Sequence, residues 1–204
     1  LGGAGADTLT GGTGADTLIG GDGSDLYHVG NAGDVVTETN AAAAGGTDTV
    51  YTVVHHTLGA NVENLRITAS GAVNGTGNAL ANILQGTTES GVSAAGVSFI
   101  LDGGAASDTV GGGLGNDFLI GGSGADVLRG FEGNDELISG SYDFILESTS
   151  FDLSTVDTLF GGKGNDWYQV RTGDAVTEVA GEGFDTVSLN LALSVMASTT
   201  VAGV

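Results

Sequence analysis

The chain has 204 residues, of which 39 are glycine, and it contains no proline or cysteine. Its 25 Asp and Glu residues against four Lys and Arg give a formal net charge of −21, although 40% of the residues are apolar. The scarcity of basic residues argues against binding to nucleic acid or to an anionic membrane surface, and the lack of cysteine excludes disulfides and thiolate metal sites. The charge therefore calls for a small, hard cation as partner.

The first predicted element in chain order is a nine-residue phrase that occurs three times in tandem. Its copies are GGAGADTLT, GGTGADTLI and GGDGSDLYH, which begin at Gly2, Gly11 and Gly20. Glycine holds places one, two and four, aspartate holds place six, and a large side chain holds place eight. Places seven to nine predict a strand of about three residues, with place eight facing inward and its neighbours facing out.

The middle of the chain keeps this pattern only in part. In GNALANILQG (77–86), Asn82 takes the aspartate place and Leu84 takes the apolar place. Residues 87–101 and 139–155 fit the nine-residue period poorly. We predict that both are insertions or loops on one side of the fold.

The phrase returns in a second and a third block. The second block reads GGAASDTVG, GGLGNDFLI, GGSGADVLR and GFEGNDELI, with Ala106 and Phe131 at places where the other copies have glycine. The third block contains DTLF and then GGKGNDWYQ, so that Asp157 and Asp166 are nine residues apart.

A longer repeat contains the shorter one. GGDGSDLYHV, GDVVTE and GTDTV within residues 20–50 match GGKGNDWYQV, GDAVTE and GFDTV within residues 161–187, about 140 residues later. Glu38 and Glu178 occupy the same place in the two copies. Two interpretations are open: the glutamates are additional cation ligands, or they lie on an ordinary solvated surface. We expect Trp167 and Tyr168 to cover an end of the fold or to fill its inner place.

Repeated glycine and aspartate indicate a metal site built from oxygen atoms. Glycine adopts positive φ readily, so the carbonyl groups of each phrase can turn toward one point beside the aspartate carboxylate. Aspartates on stacked strands, about 4.8 Å apart, repel each other unless a divalent cation lies between them. Calcium accepts six to eight oxygen ligands, whereas zinc and copper prefer His and Cys. The competing interpretation is that Asp-Thr and Gly-Gly form turns without any ion.

With these phrases, the sequence resembles the RTX (repeats-in-toxin) family, whose signature is Gly-Gly-x-Gly-x-Asp followed by any residue, a large apolar residue and any residue. The resemblance implies an all-β fold, a right-handed parallel β-roll (β-solenoid) whose short strands are interrupted by loops. Two phrases would form each turn, and calcium would lie between loops stacked on the same side.

This arrangement would pair each phrase with the next but one. Three to six calcium ions are expected. The resemblance implies that Asp7 pairs with Asp25, Asp108 with Asp126, and Asp117 with Asp135, while Asp16 pairs with Asp34 if the roll continues through GNAGDVV. The metal ligands that it implies are Gly3, Gly5, Asp7, Gly12, Gly14, Asp16, Gly21, Gly23, Asp25, Asp108, Gly113, Gly115, Asp117, Gly122, Gly124, Asp126, Gly133, Asp135, Asp157, Gly162, Gly164 and Asp166.

The expected domain organisation follows these blocks. Residues 1–50 form a β-roll block with a degenerate continuation, 51–102 a degenerate β-roll or linker, 103–138 a second block, 139–155 an insertion, and 156–204 a third block with a truncated continuation.

The resemblance also implies a biological setting. The chain would be a segment of a bacterial extracellular protein that leaves the cell through type I secretion machinery and folds when calcium binds. It would serve as a structural module of an adhesin or surface-layer protein, free or attached to the cell surface. The alternative is the carboxyl-side module of a secreted enzyme such as a protease, lipase or epimerase. Open ends of the stack predict end-to-end or lateral self-association.

No enzyme motif accompanies the repeats. The sequence contains no GxSxG and no HExxH, and His28, His55 and His56 are interpreted as structural. We therefore expect no catalytic activity from this chain. It begins in mid-phrase without Met, shows no signal-peptide pattern and no apolar run long enough to span a bilayer, and is expected to be a piece of a longer protein.

Overall fold

The computed structural model describes residues 1–40, 45–86, 97–143, 148–152, 154–190 and 200–202. Part of each irregular segment predicted from the sequence therefore lies outside the described residues, namely 87–96 of the first insertion, 144–147 and 153 of the second, and 191–199 and 203–204 of the third block. Residues 41–44 also lie outside them. The described residues contain no helix, and their strands are all short.

The strands, in chain order, are β1 (Gly3–Ala4), β2 (Thr8–Thr10), β3 (Thr17–Ile19), β4 (Gly21–Asp22), β5 (Leu26–Val29), β6 (Val35–Thr37), β7 (Thr49–Thr52), β8 (His56–Thr57), β9 (Asn64–Ile67), β10 (Asn74–Thr76), β11 (Ile83–Gly86), β12 (Ile100–Ala105), β13 (Thr109–Gly113), β14 (Phe118–Ser123), β15 (Val127–Glu132), β16 (Glu136–Ile138), β17 (Ser141–Asp143), β18 (Ser148–Ser150), β19 (Thr158–Lys163), β20 (Trp167–Arg171), β21 (Ala175–Thr177), β22 (Thr186–Asn190) and β23 (Thr200–Ala202).

Two parallel sheets run along the molecule. One has ten strands in the order β2-β5-β7-β9-β11-β13-β15-β19-β21-β23, and the other has seven in the order β8-β10-β12-β14-β16-β20-β22. Two smaller sheets, β1-β4 and β3-β6, are also parallel, whereas β17 and β18 form an antiparallel hairpin. The chain is thus a parallel β-solenoid of about nine turns, which confirms the predicted fold class.

The length of a coil varies along the solenoid. In the nonapeptide blocks, Thr8 pairs with Leu26 and Thr109 with Val127, eighteen residues on, as two phrases per turn require. Elsewhere Thr49 pairs with Asn64, fifteen residues on, and Val127 pairs with Thr158, thirty-one residues on. The longest of these coils contains the hairpin β17–β18, so an insertion leaves the strand register on either side unchanged.

The apolar eighth place of each phrase forms the core. These side chains are buried one above another and include Leu9, Leu18, Tyr27, Val110, Leu119, Leu128, Leu137, Leu159 and Tyr168. Tyr168 thus fills the inner place, while Trp167 beside it stays partly exposed.

The expectation that the ninth place faces out is wrong for Ile120 and Ile138, which are fully buried. These residues pair in neighbouring strands β14 and β16. Strand β17 packs against β14, and the Tyr142 ring contacts the Phe118 ring edge-on at 5.1 Å. The hairpin in the long coil therefore covers the outer face of this sheet, and the nine-residue pattern does not predict where it packs.

Within the described residues, no helix is long and apolar enough to cross a membrane.

Candidate metal centre

The Gly-x-Gly corners of the phrases share one backbone conformation. The second and fourth places adopt positive φ, for example 119° at Gly3 and 103° at Gly5, and the corners stack through hydrogen bonds such as Gly5 N–H to Asp22 O at 2.7 Å. Of the predicted ligand glycines, those with positive φ are Gly3, Gly5, Gly12, Gly14, Gly21, Gly23, Gly122, Gly124, Gly133, Gly162 and Gly164. Gly113 and Gly115 are not among them.

Both residues that replace glycine keep this conformation. Phe131 has φ 81° and Ala106 has φ 73°, so the loop retains its shape although an L side chain is strained there. Phe131 still pairs with Gly162 of the next coil. Departure from the phrase at these two places therefore leaves the loops stacked.

The aspartates at place six stack along the solenoid in two columns, together called the row, because each turn contains two phrases. One carboxylate oxygen of each accepts the backbone N–H of the corresponding residue one coil earlier. Asp7 N–H donates to Asp25 Oδ1 at 2.8 Å, and the same bond joins Asp108 to Asp126 and Asp117 to Asp135, both at 2.8 Å. Asp16 N–H donates to Asp34 Oδ1 at 3.1 Å, so the stack continues through GNAGDVV.

The row also crosses the long coil. Asp126 N–H donates to Asp157 Oδ1 at 2.9 Å, and Asp135 N–H donates to Asp166 Oδ1 at 2.7 Å. The third block is thus in register with the second. At most 3% of the surface is exposed in Asp25, Asp108, Asp117, Asp126, Asp135, Asp157 and Asp166, whereas Asp7 and Asp16 are half-buried.

The second carboxylate oxygen is left without a hydrogen-bond partner in most of the row. This holds for Oδ2 of Asp7, Asp16, Asp25, Asp108, Asp117, Asp126, Asp135 and Asp166. A buried polar atom without a partner costs about 1–3 kcal/mol, so a whole row of them requires a ligand. Carboxylate and carbonyl oxygens are the donors that calcium prefers, and the donor set therefore fits this ion.

The glycine at place one lines the same space, and our predicted ligand list omits it. A Cβ on Gly2 would lie 2.6 Å from Asp7 Oδ2 and 2.8 Å from Gly20 O, and a Cβ on Gly103 would lie 2.7 Å from Asp108 Oδ2 and 2.6 Å from Gly121 O. Place one is glycine because its Cα borders the carboxylate and a carbonyl of the next coil. The signal was present in the sequence, since every copy quoted above has glycine there.

Burial shifts the protonation of the second and third blocks of the row. It raises the pKa values of Asp108, Asp117, Asp126, Asp135, Asp157 and Asp166 above the ordinary value of 3.8, and neighbouring carboxylates add to the effect at several of them, while hydrogen bonds from backbone N–H groups oppose it. The pKa rises to about 6 for Asp126, to about 7 for Asp108, Asp117 and Asp157, and to about 8 for Asp135. Positive charge is therefore needed to hold the ionised row in place.

Four further aspartates extend the row beyond the strict phrases. Asp34 has been described, Asp25 N–H donates to Asp48 Oδ1 at 2.7 Å, and Asp157 N–H and Asp166 N–H donate to Asp174 and Asp185 at 3.2 and 3.0 Å. The signal that could have found them is an aspartate two residues before a valine, as in DVV, DTV and DAV, which retains places six and eight.

In two of these added aspartates, both carboxylate oxygens have partners within the protein. Asp34 Oδ2 accepts N–H groups of Gly30 and Asn31 in its own loop. Asp174 Oδ2 accepts the Ser139 hydroxyl and the Arg171 N–H, and the Arg171 guanidinium lies 3.6 Å from Asp174 Oδ1. Protein groups thus satisfy both carboxylates without any ion.

An asparagine closes its loop in the same self-sufficient way. Asn82 Nδ2 donates to the carbonyls of Val62 and Glu63, at 3.1 Å each, and its Oδ1 accepts the Asn78 N–H at 2.7 Å. The amide nitrogen provides the positive end that these carbonyls need.

The two glutamates of the longer repeat are buried. Glu38 is 6% exposed and Glu178 is 7% exposed, so the interpretation as solvated surface is wrong for both. Among the described residues, the clusters of side chains that could hold a metal consist of Asp and Glu and contain no histidine. His55 instead accepts the Asn74 N–H through Nδ1 at 2.9 Å.

Comparison with known proteins identifies the repeat. A family model of the RTX calcium-binding nonapeptide repeat matches four segments, residues 1–36, 100–119, 111–141 and 154–173. These segments contain every aspartate that the sequence predicts as a ligand. No curated protein matches the chain, and no solved structure matches it.

Proposed function

Because the chain belongs to the RTX calcium-binding nonapeptide repeat family, we propose that this calcium-binding β-solenoid is a folding switch in a secreted bacterial protein. The single observation that supports the switch is the row of aspartates, most of which have one carboxylate oxygen that no protein group satisfies. The β-roll of this family is a structural domain and is not catalytic by itself.

The residues of the loops act together in this proposal. Without an ion, the stacked carboxylates repel each other and the glycines favour an extended chain, so the loops stay apart. A bound calcium ion supplies the positive charge and takes the oxygen atoms of two stacked loops. Affinity for the folded state alone adds directly to its stability, which couples folding to the calcium concentration.

The predicted ligands have separate roles in the proposal. The aspartates of the row present Oδ2, and the glycines at places two and four turn their carbonyls through positive φ. The glycine at place one leaves room beside the carboxylate. Three to six ions remain our expectation for the whole chain.

A change of compartment would operate the switch. RTX repeats are typical of secreted proteins. In the cytosol, where free calcium is scarce, the chain stays extended and suits type I export. Outside the cell, calcium modules have dissociation constants of about 10⁻⁴–10⁻³ M, which suits folding after export.

The recurrence of a cassette about 140 residues long supports a role as a spacer in an adhesin or surface-layer protein. Nine turns of about 4.8 Å each would span roughly 40–45 Å, and further cassettes would lengthen the stack. The rival role, as the carboxyl-side module of a secreted enzyme, uses the same calcium chemistry. In that case a catalytic domain would precede the segment, whereas a spacer would continue into further cassettes.

Calcium titration of the metal-free chain tests the switch. Far-UV circular dichroism should change from a largely disordered spectrum to a strand spectrum as calcium rises into the millimolar range. Magnesium at the same concentrations is the matched control and should have little effect. A chelated chain with the same spectrum and the same melting temperature as the calcium-loaded chain would refute the switch.

A further inference from the structure

Two groups of three carboxylates, all buried except the half-buried Asp185, lie at equivalent positions in the two copies of the longer repeat. One group consists of Asp25, Glu38 and Asp48, and the other of Asp166, Glu178 and Asp185. In each group, one oxygen atom of every residue lies within 4.8 Å of the others. Elsewhere the row brings one aspartate from each coil, so the glutamate is the feature that distinguishes these two places.

The glutamate takes a position that a backbone carbonyl holds in the strict phrases. Gly3 N–H donates to the carbonyl of Gly20, the first glycine of the phrase one coil on. Gly21 N–H, one coil later, meets no such glycine and donates to the Glu38 carboxylate, at 3.3 Å to Oε2. In the second copy, Gly161 N–H donates to Glu178 Oε1 at 2.9 Å. A full negative charge therefore replaces a neutral oxygen.

A tyrosine hydroxyl points into each group. The phrases that precede GDxVTE have tyrosine at place eight, Tyr27 and Tyr168, whereas the other phrases have leucine or valine there. The Tyr27 hydroxyl donates to Glu38 Oε1. Tyr168 is 0% exposed, yet its hydroxyl has no partner, and neither has Glu178 Oε2.

The glycine at place one shows that these atoms converge. A Cβ on Gly20 would collide with the Tyr27 hydroxyl, Asp25 Oδ2 and Glu38 Oε1. A Cβ on Gly161 would collide with the Tyr168 hydroxyl and Asp166 Oδ2. Two stretches of chain about 140 residues apart thus build the same oxygen-lined space from the same residue types.

The geometry points to a second class of calcium site, in which Asp, Glu and Asp ligate one ion and the tyrosine hydroxyl orients the glutamate. The inference rests on the proposed calcium-binding function and deepens it. Affinity for calcium rises with the number of charged ligands and with the rigidity of the site. These two sites therefore fill before the loop sites, and folding starts from them at each end of the described solenoid.

The double variant Glu38→Gln with Glu178→Gln tests the inference, because glutamine keeps the shape and the acceptor oxygen but removes the charge. Calcium is titrated into the metal-free chain against a chromophoric chelator, and terbium emission sensitised by tyrosine is followed in parallel. We expect the two ions that bind first in the wild type to bind at least tenfold more weakly in the variant. The double variant Glu132→Gln with Glu182→Gln carries the same change of charge outside both groups and should match the wild type.

The outcomes separate the inference from the function on which it rests. If the wild type binds no calcium, the proposed function fails. If the wild type binds calcium but the double variant keeps its first two ions unchanged, or magnesium displaces terbium as well as calcium does, the second class of site is refuted. Should the double variant not fold in saturating calcium, the single variants are compared, and each is expected to lose one tight ion and to keep the other.

Discussion

Two parts of this solenoid close their loops with different chemistry. In residues 103–138, each loop aspartate leaves one oxygen without a protein partner. At Asn82, in the preceding part, an amide nitrogen bonds directly to the carbonyls of Val62 and Glu63. Both parts belong to the same ten-stranded sheet. A stacked loop therefore needs a positive group beside its carbonyls. With asparagine this group is the side-chain amide, whereas with aspartate it is a cation that can exchange with the solvent.

Arginine provides a third solution. The guanidinium of Arg171 lies beside Asp174, and the Ser139 hydroxyl and a backbone N–H satisfy the other oxygen of that carboxylate. Only loops without such an internal donor should respond to calcium.

Removal of calcium should separate the two parts most clearly. In EGTA, we expect amide hydrogen exchange to increase far more in residues 103–138 than in residues 58–86, because the carboxylate row loses its neutralising charge while the asparagine amides remain. Peptides from both parts, followed by mass spectrometry in one experiment, serve as each other's control. An equal increase in both parts would contradict the distinction.

Acid should partly replace calcium. Burial raises the pKa of Asp117 to about 7 and that of Asp135 to about 8, from an ordinary value of 3.8. The folded, metal-free state therefore binds more protons than the unfolded state between about pH 4 and pH 8, and its free energy of unfolding falls as the pH rises through this window.

Far-UV circular dichroism of the metal-stripped chain should accordingly show more strand signal at pH 5 than at pH 8. In subsaturating calcium the order should reverse, because protons compete with the ion for the same oxygens. A strand signal that does not depend on pH without calcium would contradict the protonation of the row in the folded state.

Asp117→Asn converts one aspartate loop to the asparagine type. The variant keeps the oxygen that accepts the Phe99 N–H at 2.7 Å. Loss of one site held at 100 times its dissociation constant lowers the free energy of unfolding by about 2.7 kcal/mol in calcium. In EGTA the variant should retain more strand signal than the wild type, since one buried charge is gone. Urea unfolding in calcium and far-UV circular dichroism in EGTA measure the two effects, and a loss in both conditions would contradict the role given to Asp117.

Asn82→Asp makes the reverse change. It removes the amide hydrogens that bond to Val62 and Glu63, which should cost about 1–3 kcal/mol in EGTA. The loss should be smaller in calcium, because an ion can take the place of the amide. Asn116→Asp is the matched control, since Asn116 lies on an exposed loop and uses its oxygen to accept the Asn134 N–H at 2.9 Å. If Asn82→Asp lowers the free energy of unfolding equally with and without calcium, an ion does not take the place of the amide.

The smallest effect is expected at Ala106, which replaces a glycine in the phrase GGAASDTVG. Ala106 has φ 73°, so Ala106→Gly should relieve strain and raise the free energy of unfolding by about 0.5–1 kcal/mol. Ala125 is also in a loop but does not have positive φ, and Ala125→Gly should lower the same quantity by a similar amount. Thermal unfolding of both variants in calcium distinguishes the signs, and two losses would mean that Ala106 is not strained.

The nine-residue phrase predicted the short strands and the buried eighth residue, because both depend on residues at a fixed interval. The resemblance to the RTX family implied the parallel stack and the pairs such as Asp7 with Asp25. What neither could predict depends on coils of unequal length, from fifteen to thirty-one residues. Glu38 lies eighteen residues after Gly20, where the first glycine of the next coil would be, but this interval alone does not show that the glutamate side chain is buried there.

From Asp108 to Asp174, one column of the row is unbroken in space although its aspartates are unevenly spaced in the chain. Asp126 and Asp157 are joined across a coil that also carries the hairpin β17–β18, with the same hydrogen bond that joins aspartates eighteen residues apart. New peptide can therefore be spliced into this corner without breaking the column of ion sites. The solenoid can therefore carry a variable surface segment while its stacked, ion-binding loops stay the same. The corner after β16 is the natural place for grafting an epitope.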